Sequence, residues 1–187
     1  MKKLNFKFKI IEQILIVIIF LFTTSAQSLD KFYKADRVSD YFSGILLLNE
    51  NQYKDSLKYF KKLDVLEIIH KDYSVKNLYS LVNSGKIKEA FNYSKKLEML
   101  QKDNFESQLI LGLFYLKASQ NDLAQKYFLK AKKENTQFIL NNYISDSLYS
   151  WSSFASLNQA IIELKKLDER FENLKKIQNV FLHCYFN

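Results

Sequence analysis

Three kinds of residue recur at an interval of 34 positions along this 187-residue chain. The first is tyrosine at each step, the second is lysine and the third is a small residue: Tyr59, Tyr93 and Tyr127; Lys62, Lys96 and Lys130; Ser56, Ala90 and Ala124. A fixed period of this length is typical of proteins built from stacked copies of one supersecondary unit. Each copy buries its apolar face against the next, so the period constrains the fold more tightly than composition does.

The best-preserved copy predicts two antiparallel helices. Gly112 and Tyr115 share one face of a first helix, because residues three or four apart on a helix are neighbours. Ala124 and Phe128 share a face of a second helix, and the polar residues 119–122 form the turn between the two. The small side chains let the helices approach closely, while the large ones fill the space beside that contact.

The rest of the chain divides in the same way. The lack of proline and the presence of only three glycines favour helices over a turn-rich β-fold. The fourth unit is less regular than the others, because Ala160 lies 36 rather than 34 residues beyond Ala124. We predict an all-α fold of about four helical hairpins and one terminal helix, with these approximate limits: 36–69, 70–103, 104–137, 138–170 and 171–187.

The best-preserved unit carries a longer pattern of large and small residues: Leu111, Gly112 and Tyr115, then Ala124, Phe128 and Ala131. This pattern resembles the signature of the tetratricopeptide repeat (TPR) family, of the exported bacterial type. Gln108 stands where the family has a large aromatic residue, and the family's helix-ending proline is absent. The resemblance covers about residues 36–168. It implies a right-handed superhelical solenoid of antiparallel helical hairpins that serves as a protein-interaction scaffold.

Residues 1–28 differ in composition from the rest of the chain. An apolar run of nine residues, from Ile14 to Phe22, follows a lysine-rich start and precedes a small, polar stretch. This three-part pattern predicts a secretory signal peptide, cleaved after Ala26 or Ser28. The run is well short of the ~20 residues that a membrane span needs. We therefore expect residues 29–187 to be exported to the periplasm.

The alternative is an uncleaved N-terminal segment that anchors the chain in the inner membrane, facing the periplasm. In either case the leader contributes +3 to the formal net charge of +8, which leaves +5 for residues 29–187. The lysines of that part are spread along the predicted helices, where a solvated helix face explains them. A nucleic-acid surface fits poorly with export, and no recognition motif accompanies it, so we expect no nucleic acid among the partners.

The sequence predicts no enzyme, no metal site and no cofactor. It offers no nucleophile–base pair, no glycine-rich phosphate loop and no paired carboxylates in a defined setting. His70 lies in the connection between two hairpins, and His183 and Cys184 lie in an apolar helical segment without further ligands. A single cysteine forms no internal disulfide, although an intermolecular disulfide remains a hypothesis for an exported chain.

The binding surface follows from the resemblance, which implies that the first helix of each hairpin lines a concave side. Asn49, Asn83 and Lys117 recur there at the 34-residue interval and offer amide and ammonium groups to a peptide backbone or carboxylate. The alternative for the apolar members is packing between adjacent hairpins. The predicted partner-binding residues are Tyr41, Ile45, Leu48, Asn49, Val75, Tyr79, Val82, Asn83, Leu109, Leu113, Leu116 and Lys117.

We therefore expect a non-catalytic scaffold in the periplasm or cell envelope that binds a protein or peptide partner. The alternative is an N-terminal or regulatory helical module of a larger envelope enzyme or complex. The terminal helix is apolar on more than one side, which leaves self-association through it open. Trp151 falls at the position of Tyr115 in the preceding unit, where we expect it to pack in the core rather than to present an exposed aromatic surface.

Overall fold

The computed structural model describes residues 35–63, 66, 70–134 and 138–186. These residues are largely helical, and none of them forms a strand. The all-α fold class is therefore confirmed, while the predicted signal segment lies outside the described residues. The chain divides into two compact units, residues 1–66 and residues 67–187.

The first unit contains one helical hairpin, formed by α1 (Ala35–Asn49) and α2 (Tyr53–Phe60). Gly44 on α1 faces the ring of Phe60, and a β-carbon placed on Gly44 would lie 2.6 Å from Cε1 of that ring. The Ser56 hydroxyl on α2 donates a hydrogen bond of 2.8 Å to the carbonyl of Gly44. The two helices therefore approach closely through small residues, as the 34-residue pattern predicted.

The second unit contains three successive hairpins and a final helix, with neighbouring helices in contact along the chain. A 3₁₀ turn at Glu169–Phe171 precedes the last helix. The helices are α3 (Lys71–Asn83), α4 (Ile87–Met99), α5 (Phe105–Lys117), α6 (Asn121–Glu134), α7 (Ile139–Trp151), α8 (Leu157–Lys166) and α9 (Glu172–Phe186).

The turns inside the first three hairpins repeat the same backbone geometry at the 34-residue interval. Asn51, Gly85 and Ser119 have φ angles of 60°, 75° and 58°, the left-handed region that often ends a helix. In each case the next residue donates its N–H to a carbonyl five residues earlier: Gln52 to Leu47 at 2.8 Å, Lys86 to Leu81 at 2.9 Å and Gln120 to Tyr115 at 2.9 Å. These bonds satisfy carbonyls that the helix end leaves unpaired.

In each of the first three hairpins, a large side chain on one helix packs beside a small residue on the other. In the middle copy the two helices exchange these roles. In α5 and α6, the ring of Phe128 occupies the space where Gly112 would carry a β-carbon, as Phe60 does at Gly44. The equivalent positions in α3 and α4 hold the larger Leu78 and the smaller Ser94, at 1% and 0% exposure. The large side chain thus comes from the first helix in this copy and from the second helix in the other two.

The final helix is held to α7 by a polar network around Gln178. Its amide oxygen accepts hydrogen bonds from the Ser147 hydroxyl at 2.9 Å and the Trp151 indole at 3.2 Å. Its amide nitrogen donates to the Tyr143 hydroxyl at 3.0 Å. Trp151 is partly buried against the core cluster that contains Leu182. This indole accordingly belongs to the packing of the last helices, in agreement with the expectation from its sequence position.

The outer side of α9 leaves large apolar side chains in solvent. Those that are more than a third exposed are Leu174, Ile177, Val180, Phe181 and Tyr185. None of the helices that the structure describes combines the length and apolar character needed to cross a membrane.

Candidate functional site

An apolar groove of about 720 Å³ opens between the end of α3, the start of α4 and the outer face of α5. All of its residues belong to the second unit. We call it the α5 groove. It is lined by Val82, Ile87, Lys88, Ile110, Leu113, Phe114, Lys117 and Ala118. Its volume lies within the roughly 300–1,000 Å³ range of known ligand sites.

Two local features of the sequence build this groove. Gly85 adopts a φ of 75°, and its N–H bonds the Val82 carbonyl at 3.0 Å. The chain therefore reverses between Val82 and Ile87, and both of these side chains line the groove. On α5, a spacing of three to four residues puts Ile110, Leu113 and Lys117 on a common face.

Apolar surface in the groove remains open to solvent. Val82 is 38% exposed, Leu113 is 45% exposed and Ile87 is 48% exposed. The Phe114 side chain is held in place by packing, because its ring stacks on Phe91 of α4 with centroids 3.9 Å apart and an interplanar angle of 23°. The result is a surface of accessible aliphatic groups beside a fixed aromatic ring.

The charged groups of the groove are two lysines. Neither the Lys88 nor the Lys117 side chain makes a hydrogen bond or an ion pair with any residue in the described part of the chain, and none of the eight lining residues is acidic. The neighbouring Glu89 is engaged by Lys86 at 2.9 Å. The α5 groove therefore carries positive charge that no carboxylate among the described residues pairs with.

The structure brings three of the twelve predicted partner-binding residues together at this site, namely Val82, Leu113 and Lys117. Elsewhere in the second unit, Tyr79 and Asn83 are exposed, and the remaining predicted residues are half-buried: Val75, Leu109 and Leu116. The Asn83 amide donates to the Tyr79 carbonyl at 2.8 Å, so this amide bonds within its own helix.

The other four predicted residues lie on α1, in the first unit. Tyr41, Ile45 and Leu48 are half-buried, and Asn49 is exposed. The Tyr41 ring lies 6.4 Å from that of Phe60, so part of its surface packs within the hairpin. Partner binding by these four residues stays a prediction.

Sequence reasoning missed the groove residues Ile87 and Lys88 because it considered only the first helix of each hairpin. The signal that locates them is Gly85, whose turn places the start of α4 beside the end of α3. It also missed Ile110 and Phe114, which lie beside Leu109 and Leu113 on α5. The groove therefore includes residues of α4, and further residues of α5, that the predicted surface did not contain.

A second polar feature joins α4 to α6. The Glu98 carboxylate accepts hydrogen bonds from Lys130 at 2.7 Å, from the Tyr127 hydroxyl at 3.0 Å and from Lys95 at 3.1 Å. Lys95 also donates to the Tyr127 hydroxyl at 2.7 Å. Tyr127 stacks on Tyr115 with centroids 5.4 Å apart and planes 3° from parallel. We call these contacts the Glu98 cluster.

The Glu98 cluster fixes its charges in place. Burial alone raises the pKa of Glu98, but the hydrogen bonds from Lys130, Lys95 and Tyr127 outweigh it and lower the pKa to about 2. For Lys95, burial alone lowers the pKa, but the hydrogen bonds to Tyr127 and Glu98 outweigh burial, so the pKa of Lys95 is raised overall. Because all three partners stabilise the charged carboxylate, the cluster acts as a structural tie between successive hairpins.

Residues with catalytic or metal-binding chemistry are dispersed. His70 directly precedes α3, while His183 and Cys184 are exposed on α9. Within the described ranges, no group of three or more His, Cys, Asp or Glu side chains is placed to hold a metal ion. Comparisons with protein-family models, curated proteins and solved structures give no match. These comparisons thus add no support to the TPR resemblance, which was drawn from the sequence pattern.

Proposed function

We propose that this protein is a non-catalytic scaffold that binds a peptide or a helix of a partner protein in the α5 groove. The observation that carries the proposal is the combination of volume and exposed aliphatic surface at Val82, Ile87 and Leu113. Burial of such surface stabilises a complex by roughly 25 cal/mol per Å² before the costs of association. A segment with two or three apolar side chains fits this chemistry.

The wider architecture in this proposal is a TPR-like, right-handed superhelical solenoid. The 34-residue recurrence of left-handed turns at Asn51, Gly85 and Ser119 supports it, as does the small-against-large packing at Gly44 and Gly112. In such an array the first helices line the concave side, and the predicted residues of α3 and α5, all in the second unit, extend the α5 groove along it. Val82, Leu113 and Lys117 belong to both surfaces.

The proposed location is the periplasm or cell envelope. The basic start, the apolar run and the small residues of positions 1–28 support export through a signal peptide. Anchoring through an uncleaved leader, facing the periplasm, is the alternative. Cell fractionation with N-terminal sequencing separates the two, because cleavage leaves Gln27 or Leu29 as the first residue.

A second candidate function is favoured by the exposed apolar side of α9. A helical or regulatory module of a larger envelope enzyme or complex requires a contact surface of this kind, and Ile177, Phe181 and Tyr185 are each more than half exposed. In that case the strongest contacts involve α9 rather than α5.

Site-specific photocrosslinking in cells tests the proposal. A photoreactive amino acid at Leu113 is expected to yield a discrete crosslinked product that unlabelled apolar peptide competes away. The same probe at Leu129, which is 44% exposed on α6 outside the groove, is the matched control and gives no such product. Equal crosslinking at Leu113 and Leu129 contradicts the proposal, and a discrete product only from a probe at Ile177 supports the second candidate.

A further inference from the structure

We infer that the α5 groove selects an acidic amphipathic segment, in which apolar side chains occupy the groove and carboxylates pair with Lys88 and Lys117. This inference rests on the proposed function and adds the chemistry of the partner. It follows from the presence of the two lysines in the groove lining, from their lack of side-chain partners among the described residues and from the apolar character of the rest of the lining.

Several lysines of the same unit pair with carboxylates, unlike the two groove lysines. Lys86 pairs with Glu89 at 2.9 Å, Lys130 with Glu98 at 2.7 Å and Lys132 with Asp146 at 2.8 Å. Among the residues that the structure describes, no carboxylate fills this role for Lys88 or Lys117. Within the described part of the chain, the charges of Lys88 and Lys117 are thus unpaired and can meet those of a ligand.

An apolar occupant changes the energetics of these lysines. When it covers Leu113 and Val82, it also removes water from the ammonium groups that line the same groove. A charge that loses water without gaining a partner opposes binding. A carboxylate on the occupant reverses that effect, because opposite charges attract more strongly where water is displaced. The occupant that satisfies the whole surface is thus both apolar and acidic.

The spacing on α5 indicates the pattern of the segment. Ile110, Leu113 and Lys117 are separated by three and four residues, so the ammonium group follows the apolar side chains by one helical turn, or about 5.4 Å. A helical ligand that lies along α5 matches this with apolar residues three or four apart and an Asp or Glu one turn beyond. Lys88 provides a second contact from the α4 side of the groove.

Charge argues against two other occupants. The chain's own residues 1–28 are apolar but carry four lysines and one glutamate, so they bring like charge to Lys88 and Lys117. A nucleic-acid strand is bound chiefly through many phosphate contacts, whereas this groove presents two lysines around exposed Val82, Ile87 and Leu113.

The test measures fluorescence anisotropy of three labelled probes with the full 187-residue chain. All three are designed amphipathic helices of about four turns with the same leucines. They differ only at the flanking charged positions, which are glutamate, glutamine or lysine. We expect the glutamate probe to bind the wild type more tightly than the glutamine probe by up to about fivefold for each lysine contact, and the lysine probe to bind most weakly.

The matched variants reverse two charges at a time. Lys88→Glu with Lys117→Glu is expected to invert the order, so that the lysine probe binds best. Lys126→Glu with Lys133→Glu changes the net charge equally, at exposed positions of α6 outside the groove, and is expected to keep the wild-type order. The inversion is a gain of binding, so loss of folding cannot produce it.

Three results overturn the acidic-segment inference. If the glutamate and glutamine probes bind the wild type equally, and Leu113→Asn weakens both, the scaffold function stands and the acidic preference is wrong. If both double variants shift the affinities equally, the preference is a general effect of net charge. If none of the three probes binds the wild type, the groove does not take an apolar segment, and the proposed function fails as well.

Discussion

Phe128 lies over Gly112 so closely that a β-carbon on Gly112 would overlap its ring. Gly44 and Phe60 have the same relationship in the first unit, 68 residues earlier. In the hairpin between them, the register pairs Leu78 with Ser94, both buried. The space at this helix contact is thus filled either by glycine and phenylalanine or by leucine and serine, which have a similar total volume. Because protein interiors are closely packed, a change of volume at this contact should affect stability.

The first prediction concerns this contact. Gly112→Ala is expected to lower the free energy of unfolding, because overpacking against Phe128 costs about 1–3 kcal/mol and exceeds the roughly 1 kcal/mol gained in helix propensity. Gly112→Leu is expected to be worse. Adding Phe128→Ser to Gly112→Leu recreates the middle copy's pair and should recover part of the loss. Urea unfolding measures all three, and an equal loss in the single and double variants contradicts the equivalence of the two pairs.

The second prediction is a pH dependence from Glu98. Its folded pKa of about 2 lies below the ordinary value of 4.5, so the stabilisation is complete above about pH 5 and is lost as pH falls towards 2. Allowing for the partial exposure of the cluster, we expect about 1–2 kcal/mol. Glu98→Gln should remove this part of the acid sensitivity, while Glu134→Gln, at an exposed position of α6, should not. If the free energy of unfolding changes with pH in the same way in wild type and Glu98→Gln, the Glu98 cluster does not cause this acid sensitivity.

The third prediction concerns the attachment of α9. Gln178→Ala removes hydrogen bonds to Ser147, Trp151 and Tyr143 and leaves the indole N–H without its acceptor, which costs about 1–3 kcal/mol. Because Trp151 is the single tryptophan, its emission reports this region directly. We expect a red shift and faster amide exchange in α9. Asn173→Ala, at an exposed position of the same helix, is the control and should change neither.

The fourth prediction concerns the second candidate function. If the outer side of α9 is a contact surface, Phe181→Ser should weaken the association detected by sedimentation or affinity capture without lowering stability, because Phe181 is 59% exposed. If α5 carries binding, as we propose, Phe181→Ser leaves the Leu113 crosslink unchanged. Loss of that crosslink in the Phe181→Ser variant would indicate that the partner binds at α9 and would contradict binding in the α5 groove alone.

The hairpins were predictable from the sequence because the period and the size pattern act locally. Gly112 with Phe128, and Ser56 with Gly44, meet across short turns, so their spacing is enough to place them. The all-helical class follows from the same patterns. The superhelical arrangement stays a proposal, because it depends on contacts between hairpins that the size pattern within one hairpin does not specify.

The polar contacts were less predictable. The lysines of the second helices were expected on solvated faces, yet Lys95 and Lys130 meet at Glu98, and Lys132 reaches Asp146 on α7. Such pairings depend on the angle between hairpins and on long, flexible side chains, neither of which leaves a pattern in the sequence. The same reasoning explains why Lys88 was not predicted at the groove.

Methyl-resolved NMR during titration with the leucine–glutamate probe tests the central claim most directly, since it reports where the ligand binds. We predict shifts confined to the groove methyl groups, namely those of Val82, Ile87, Ile110 and Leu113. The exposed methyl groups of Leu129 on α6 and Ile162 on α8 should stay unchanged. Shifts centred on Leu129, Ile162 or the outer side of α9, with the groove methyl groups unmoved, would contradict the account.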